Sequence, residues 1–182
     1  MLKVIGGFIA GIVSVLVLAG TMMGSFMFRE IESPFTVEET AARIQANIQA
    51  KKDKGWSLSG LRDPVKPLQA AGENALPVLL IEACSTRYSG PMLKDDKTRI
   101  LSILMPCTIT VYKKNDGKTY VGLMNAGLLG RMFGSKVGEI MAEVAADQAS
   151  FIAFDPSKPA PPLIKGMPGA GGGAGKEAGG GC

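Results

Sequence analysis

The chain has 182 residues, 20 lysines and arginines against 16 aspartates and glutamates, and a formal net charge of +4. That length fits one domain of ordinary size plus appendages, and a weak positive balance without a basic stripe gives no nucleic-acid footprint. There is no histidine, which removes Ser-His-Asp and Cys-His catalysis, histidine-based zinc or copper sites, and the usual general base near neutral pH.

Residues 4–28 carry no charge and are long enough to cross a bilayer as a helix, at roughly 20 residues per span. Lys3 precedes the stretch; Arg29, Glu30, Glu32, Glu38 and Glu39 follow it, with acids in excess. The positive-inside tendency then puts the N-terminus in the cytoplasm and the following domain in the periplasm or outside the cell. Residues 1–30 therefore read as an N-terminal transmembrane anchor. A cleaved signal peptide ending near Val17-Leu18-Ala19 is the alternative, but the apolar run continues past that point. Gly7 and Gly11, then Gly20 and Gly24, have the spacing that lets two membrane helices approach closely, although glycine is also simply common in such helices.

The folded domain is expected over residues 31–155. Thr36-Val37-Glu38-Glu39 matches a capping box, so a helix starts at Thr36. Val37, Ala41, Ile44 and Ile48 recur on one of its faces, and Gly55 ends it. Trp56 opens a short strand as a core anchor. Asp63-Pro64 starts a short helix that Gly72 closes. Residues 76–83 form an apolar run of strand length. Glu82 interrupts that run and shares a face with Cys84. A carboxylate there is a candidate acid or base if buried, or marks the strand leaving the core.

Residues 85–93 suggest a short helix or turn, and residues 94–97 a solvated loop. Residues 100–124 then read as two strands joined at Asn115-Asp116-Gly117, where Asp-Gly supplies the positive φ of a tight hairpin. Period-two alternation puts Ile103, Met105, Cys107, Ile109 and Val111 on one apolar face, and Pro106 marks an edge, a bulge or the strand's entry. A single helix is expected over residues 125–149. Residues 156–182 form a Pro/Gly-rich tail that should be flexible and ends in Cys182. The expected fold class is α+β, a mainly antiparallel sheet packed against helices, preceded by one transmembrane helix.

The segments FTVEETAARI, KKDKGW, the apolar strand, then PC, VY and DGK resemble the family catalogued as domain of unknown function 302. Phe35, Glu39, Gly55, Trp56, residues 78–81, Pro106-Cys107 and Val111-Tyr112 carry the match, over residues 33–149. The resemblance implies a compact α+β domain whose members tend to dimerise, and it implies no known activity. Cys107, in its Pro-Cys setting, is the nearest candidate for a functional residue.

Three cysteines, Cys84, Cys107 and Cys182, are too far apart for a zinc-ligand pattern. Cys84 and Cys107 have three readings: buried small hydrophobes, a disulfide between neighbouring strands, or a redox or soft-metal site in which Met105 joins Cys107 to hold Cu(I). Cys182 ends a flexible arm and is a candidate reactive thiol. Its Gly-Gly-Gly-Cys setting is similar, over a few residues, to the swinging arm of periplasmic sulfur carriers; the alternatives are an intermolecular disulfide or a low-complexity end with a chance cysteine.

The expected function is that of a non-catalytic, membrane-anchored, extracytoplasmic binding or accessory subunit of a membrane complex, such as a respiratory one. The bilayer, a second copy or complex subunits are its expected partners, with no cofactor and no nucleic acid. The alternative is thiol chemistry, with Cys182 as sulfur carrier or redox group and Cys84 and Cys107 in support, or copper handling through cysteine and methionine.

Overall fold

The computed structural model describes residues 11, 12, 14 and 26–165. Five strands form one antiparallel sheet: β1 (Phe28–Ser33), β2 (Trp56–Arg62), β3 (Val78–Ser85), β4 (Cys107–Lys113) and β5 (Thr119–Met124), in the order β1-β5-β4-β3-β2. The helices are α1 (Val37–Gln49), α2 (Lys66–Ala70), α3 (Thr86–Leu93), α4 (Ala126–Arg131) and α5 (Ser135–Phe151). The α+β expectation with an antiparallel sheet is therefore met.

The core lies between the sheet and α1 with α5. Thr36 caps α1, its Oγ1 accepting from the Glu39 N–H at 3.2 Å, and Val37, Ala41, Ile44 and Ile48 are buried against the sheet. The matching sheet face is supplied by Ile81, Ala83, Ile109, Val111, Val121 and Leu123, each at most 3 % exposed. Burial of each valine, leucine or isoleucine among them stabilises the fold by roughly 1.5–3 kcal/mol. Gly55, at φ +72°, turns the chain from α1 into β2. Asp63 accepts from the N–H groups of Val65 and Lys66 at 3.0 Å, capping α2.

Four features differ from the sequence reading. β1 begins inside the apolar stretch, at Phe28, and pairs with β5 from Phe28↔Met124 to Ser33↔Thr119. Its acids face cations across the ladder: Glu30 meets Lys114 at 2.6 Å and Glu32 meets Lys118 at 2.8 Å. Residues 99–104 form a 3-10 helix rather than a strand. Ile103 is 81 % exposed there, so it does not share the core face of Cys107, Ile109 and Val111. The Met105–Pro106 peptide is cis, and β4 starts only at Cys107. The expected long helix is two, α4 and α5, separated at Gly134 with φ +91°. Gly130 lets them fold against each other, since a Cβ there would lie 2.4 Å from the Met141 Cβ.

The segment after α5 is laid back on α1. Arg43 donates to the carbonyls of Asp155 and Lys158 at 3.0 and 2.8 Å. Gln45, fully buried, donates to the Ile164 carbonyl at 3.1 Å and accepts its N–H at 2.9 Å. The expected flexible tail thus opens with residues docked on the domain, through Ile164. No helix among the described residues is long and apolar enough to cross a membrane. The anchor expected over residues 1–30 falls mostly outside the described residues, as do Gly7, Gly20 and Gly24. A Cβ on Gly11 would meet nothing within 4 Å.

Candidate functional site

The sheet, α3, α4, α5 and the 3-10 helix enclose an apolar cavity of about 40 Å³. Sulfur-bearing residues line it from several elements: Cys84 near the end of β3, Met92 on α3, Met105 before β4, Cys107 on β4, Met124 at the end of β5 and Met141 on α5. Leu104 and Phe133 close it towards the surface. A space of this size could admit a water by volume, but water needs polar partners, and a cavity lined by apolar side chains stays dry. It therefore suits a small apolar or soft ligand.

The expected partners Met105 and Cys107 do border the same cavity. Cys107 is a free thiol, and burial pushes its pKa up to about 11, because the thiolate would lose its hydration. At neutral pH it is protonated and a poor nucleophile. Cys107 stands opposite Ala83 in the register, which puts Cys84 on the opposite pleat, across from Ser57. Cys84 is disulfide-bonded and Cys107 is not, so the disulfide considered between them does not form. Cys182 lies outside the described residues. Among those residues no group of three or more histidine, cysteine or acidic side chains is placed to hold a metal ion.

Glu82 is buried on the face of β3 away from α1, not emerging from the protein. Its carboxylate is clamped by Arg62, Nε to Oε1 at 2.8 Å and Nη2 to Oε2 at 3.3 Å. Gly60, across the ladder, makes the space: a Cβ there would lie 2.4 Å from Glu82 Oε2. The arrangement fixes the carboxylate as half of an ion pair.

One buried acid went unremarked in the sequence. Asp147 is 2 % exposed and borders the cavity wall formed by Trp56 and Tyr88. It accepts from Lys54 Nζ at 2.6 Å, Trp56 Nε1 at 2.9 Å and Tyr88 OH at 2.8 Å. Burial pushes its pKa up, but these three donors outweigh burial and hold it below the usual carboxylate value. The same burial and the neighbouring carboxylate raise Tyr88. An available signal was position: Asp147 falls on the α5 stripe of Val137, Met141, Val144 and Phe151, where an acid has to find donors.

The model of the family described as "Domain of unknown function DUF302" matches residues 29–153. The chain belongs to this family. No curated protein matches it. The crystal structure of an uncharacterized conserved DUF302 protein from Bacillus stearothermophilus is similar, with a TM-score of 0.60 at 20 % identity, over 69 % of this chain and 95 % of that one. At that identity the likeness establishes the shared fold. In this DUF302 domain the matched region spans the sheet, the cavity and the Asp147 cluster.

Proposed function

We propose that this DUF302 protein is a non-catalytic, membrane-anchored, extracytoplasmic binding or accessory subunit, working as a homodimer or inside a membrane complex. One observation carries the reading: Phe133, half-exposed, lines an apolar cavity, and the strongly exposed Ile103 lines an adjoining groove that shares Leu104 and Met124 with it. Apolar surface gathered in this way suits association. The domain's two buried acids are committed to fixed partners, Asp147 to three donors and Glu82 to Arg62. The uncharged residues 4–28 supply the anchor, and a disulfide at Cys84 suits an oxidising compartment. The test is gentle detergent extraction from the native membrane followed by native mass analysis. The full chain with a stoichiometric partner or a second copy is the expected species. A monomer recovered alone would count against the reading.

A second reading, Cu(I) handling, is favoured by the convergence of Cys107 with Met92, Met105, Met124 and Met141 on one cavity. Thiolate and thioether ligands select Cu(I) without histidine, and the metal would displace the Cys107 proton. Competition with a Cu(I) chelator decides it. Binding by the native chain that is lost in both Cys107→Ser and Met105→Leu supports copper, and equal competition by all three chains removes it.

A further inference from the structure

We propose that the end of the domain formed by Phe28, the 3-10 helix and the turn after α4 lies on the bilayer, seated among the lipid headgroups and upper acyl chains. Ile103, Ile100, Met132 and Phe28 are 81, 72, 68 and 63 % exposed, and Phe133 is 47 % exposed. Scattered single hydrophobics are ordinary on a surface, but a group gathered at one end is not. The ladder gathers them: Phe28 pairs with Met124, and the next residue, Asn125, accepts the Leu128 N–H and caps α4. Asn125 also donates its backbone N–H to Met27 and its side-chain amide to Phe26, at 2.7 and 3.0 Å. Phe28, Ile103, Pro106 and Met124 line one groove, and Phe133 joins Leu104 and Met105 at the mouth of the cavity.

Two observations identify the occupant as lipid. The uncharged stretch of residues 4–28, with the length of a membrane span, joins the domain at this same end, through β1. Arg29 and Arg131 flank the apolar group, are exposed, and form no ion pair among the described residues. Cations beside an apolar surface suit anionic headgroups. The acids nearest in sequence to the 3-10 helix are occupied, Asp96 by Arg99 at 2.7 Å and Asp95 by Lys136 at 3.4 Å.

The inference rests on the anchoring reading above, and the test separates the two. The full chain is reconstituted in vesicles of phosphatidylcholine and phosphatidylglycerol whose acyl chains are brominated near the headgroup. Ile103→Trp and Phe133→Trp place a reporter at the apolar end, and Asn115→Trp places one in the hairpin turn at the opposite end. The native Trp56, 2 % exposed, sets the unquenched baseline. Docking predicts that the emission added by Ile103→Trp and Phe133→Trp falls by about half, as for side chains at the acyl boundary, while that of Asn115→Trp is unchanged. A chain that floats with the vesicles but shows no quenching at either apolar position overturns docking and leaves anchoring standing. A chain that does not float overturns both. Quenching at all three positions also overturns docking, since it would place the whole domain at the lipid.

Discussion

Trp56 Nε1 donates to Asp147 Oδ2 at 2.9 Å, a bond that ties the first residue of β2 to the last turns of α5. Lys54 and Tyr88 reach the same carboxylate, so one acid joins the 3-10 turn at Lys52–Lys54, the edge strand β2 and α3 to α5. Trp56 also packs edge-on against Phe151, with ring centroids 5.0 Å apart. Asp147→Asn leaves buried donors without an anion, and the expected cost is about 2–4 kcal/mol in urea unfolding at pH 7. Tyr88→Phe removes one donor and is expected to cost about 1 kcal/mol. Equal stability of Asp147→Asn and native protein would show that the cluster is not a fastener.

The same carboxylate sets an acid dependence. Its folded pKa lies below the ordinary value, so its contribution is complete above the unfolded pKa of about 3.9 and is lost as pH falls through the lower folded value. Urea midpoints of the native chain should therefore drop below about pH 4, and the drop should be shallower in Asp147→Asn. Parallel acid limbs in the two chains would assign the loss to other carboxylates.

Cys107 titrates in the opposite direction. With a folded pKa of about 11, its contribution is full below the unfolded value of about 8.5 and is lost as pH rises through the folded one. Alkylation of native protein at pH 8 should be slower than that of a free thiol by roughly 10²-fold, and denaturant should abolish the difference. Prompt alkylation of the folded chain would place the thiol in solvent.

Gly130 faces Met141 with no room for a methyl group. A rigid Cβ would have to push α4 from α5, and Gly130→Ala is expected to destabilise by about 1–3 kcal/mol. Gly138→Ala is the control, because its nearest contact, at 3.6 Å, is an ordinary one. Similar melting of both variants would argue that the α4–α5 contact yields easily.

Gln45 holds Ile164 by two hydrogen bonds. Gln45→Ala should release the segment around Leu163, seen as faster tryptic cleavage after Lys165 and a loss of about 1–2 kcal/mol. Unchanged cleavage would mean that Arg43 alone suffices to hold it.

Where local chemistry and tertiary packing agree, the fold was legible. Thr36 caps α1 as its sequence suggests, and Gly117 takes φ +81° in the hairpin turn. β1 was hidden because its sequence, FREIES, buries almost nothing, being an edge strand held by backbone pairing and Glu–Lys pairs. The stretch RILSIL reads as part of the strand that follows it, yet its polar-apolar-apolar repeat has a period of three, and it folds as a 3-10 helix that buries Leu101 and exposes Ile100 and Ile103; short apolar runs are easily assigned the wrong period. Met105 and Cys107 were legible as cavity neighbours through sequence proximity. Met92 and Met141 reach the same space from distant helices, which needs the three-dimensional packing of α3 and α5.

The pairing of β1 with β5 has a mechanical consequence. Tension applied to the chain ahead of Phe28 would run along the axis of β1 and load its antiparallel ladder with β5 in shear. The register pairs all six residues of β1, from Phe28 to Ser33, so their hydrogen bonds share the load and none opens first as in a zipper. The Glu30–Lys114 and Glu32–Lys118 pairs cross that seam, and Lys114 and Lys118 belong to the hairpin rather than to the pulled strand. The joint is thus built to transmit a pull from the N-terminal side into the sheet without peeling its edge.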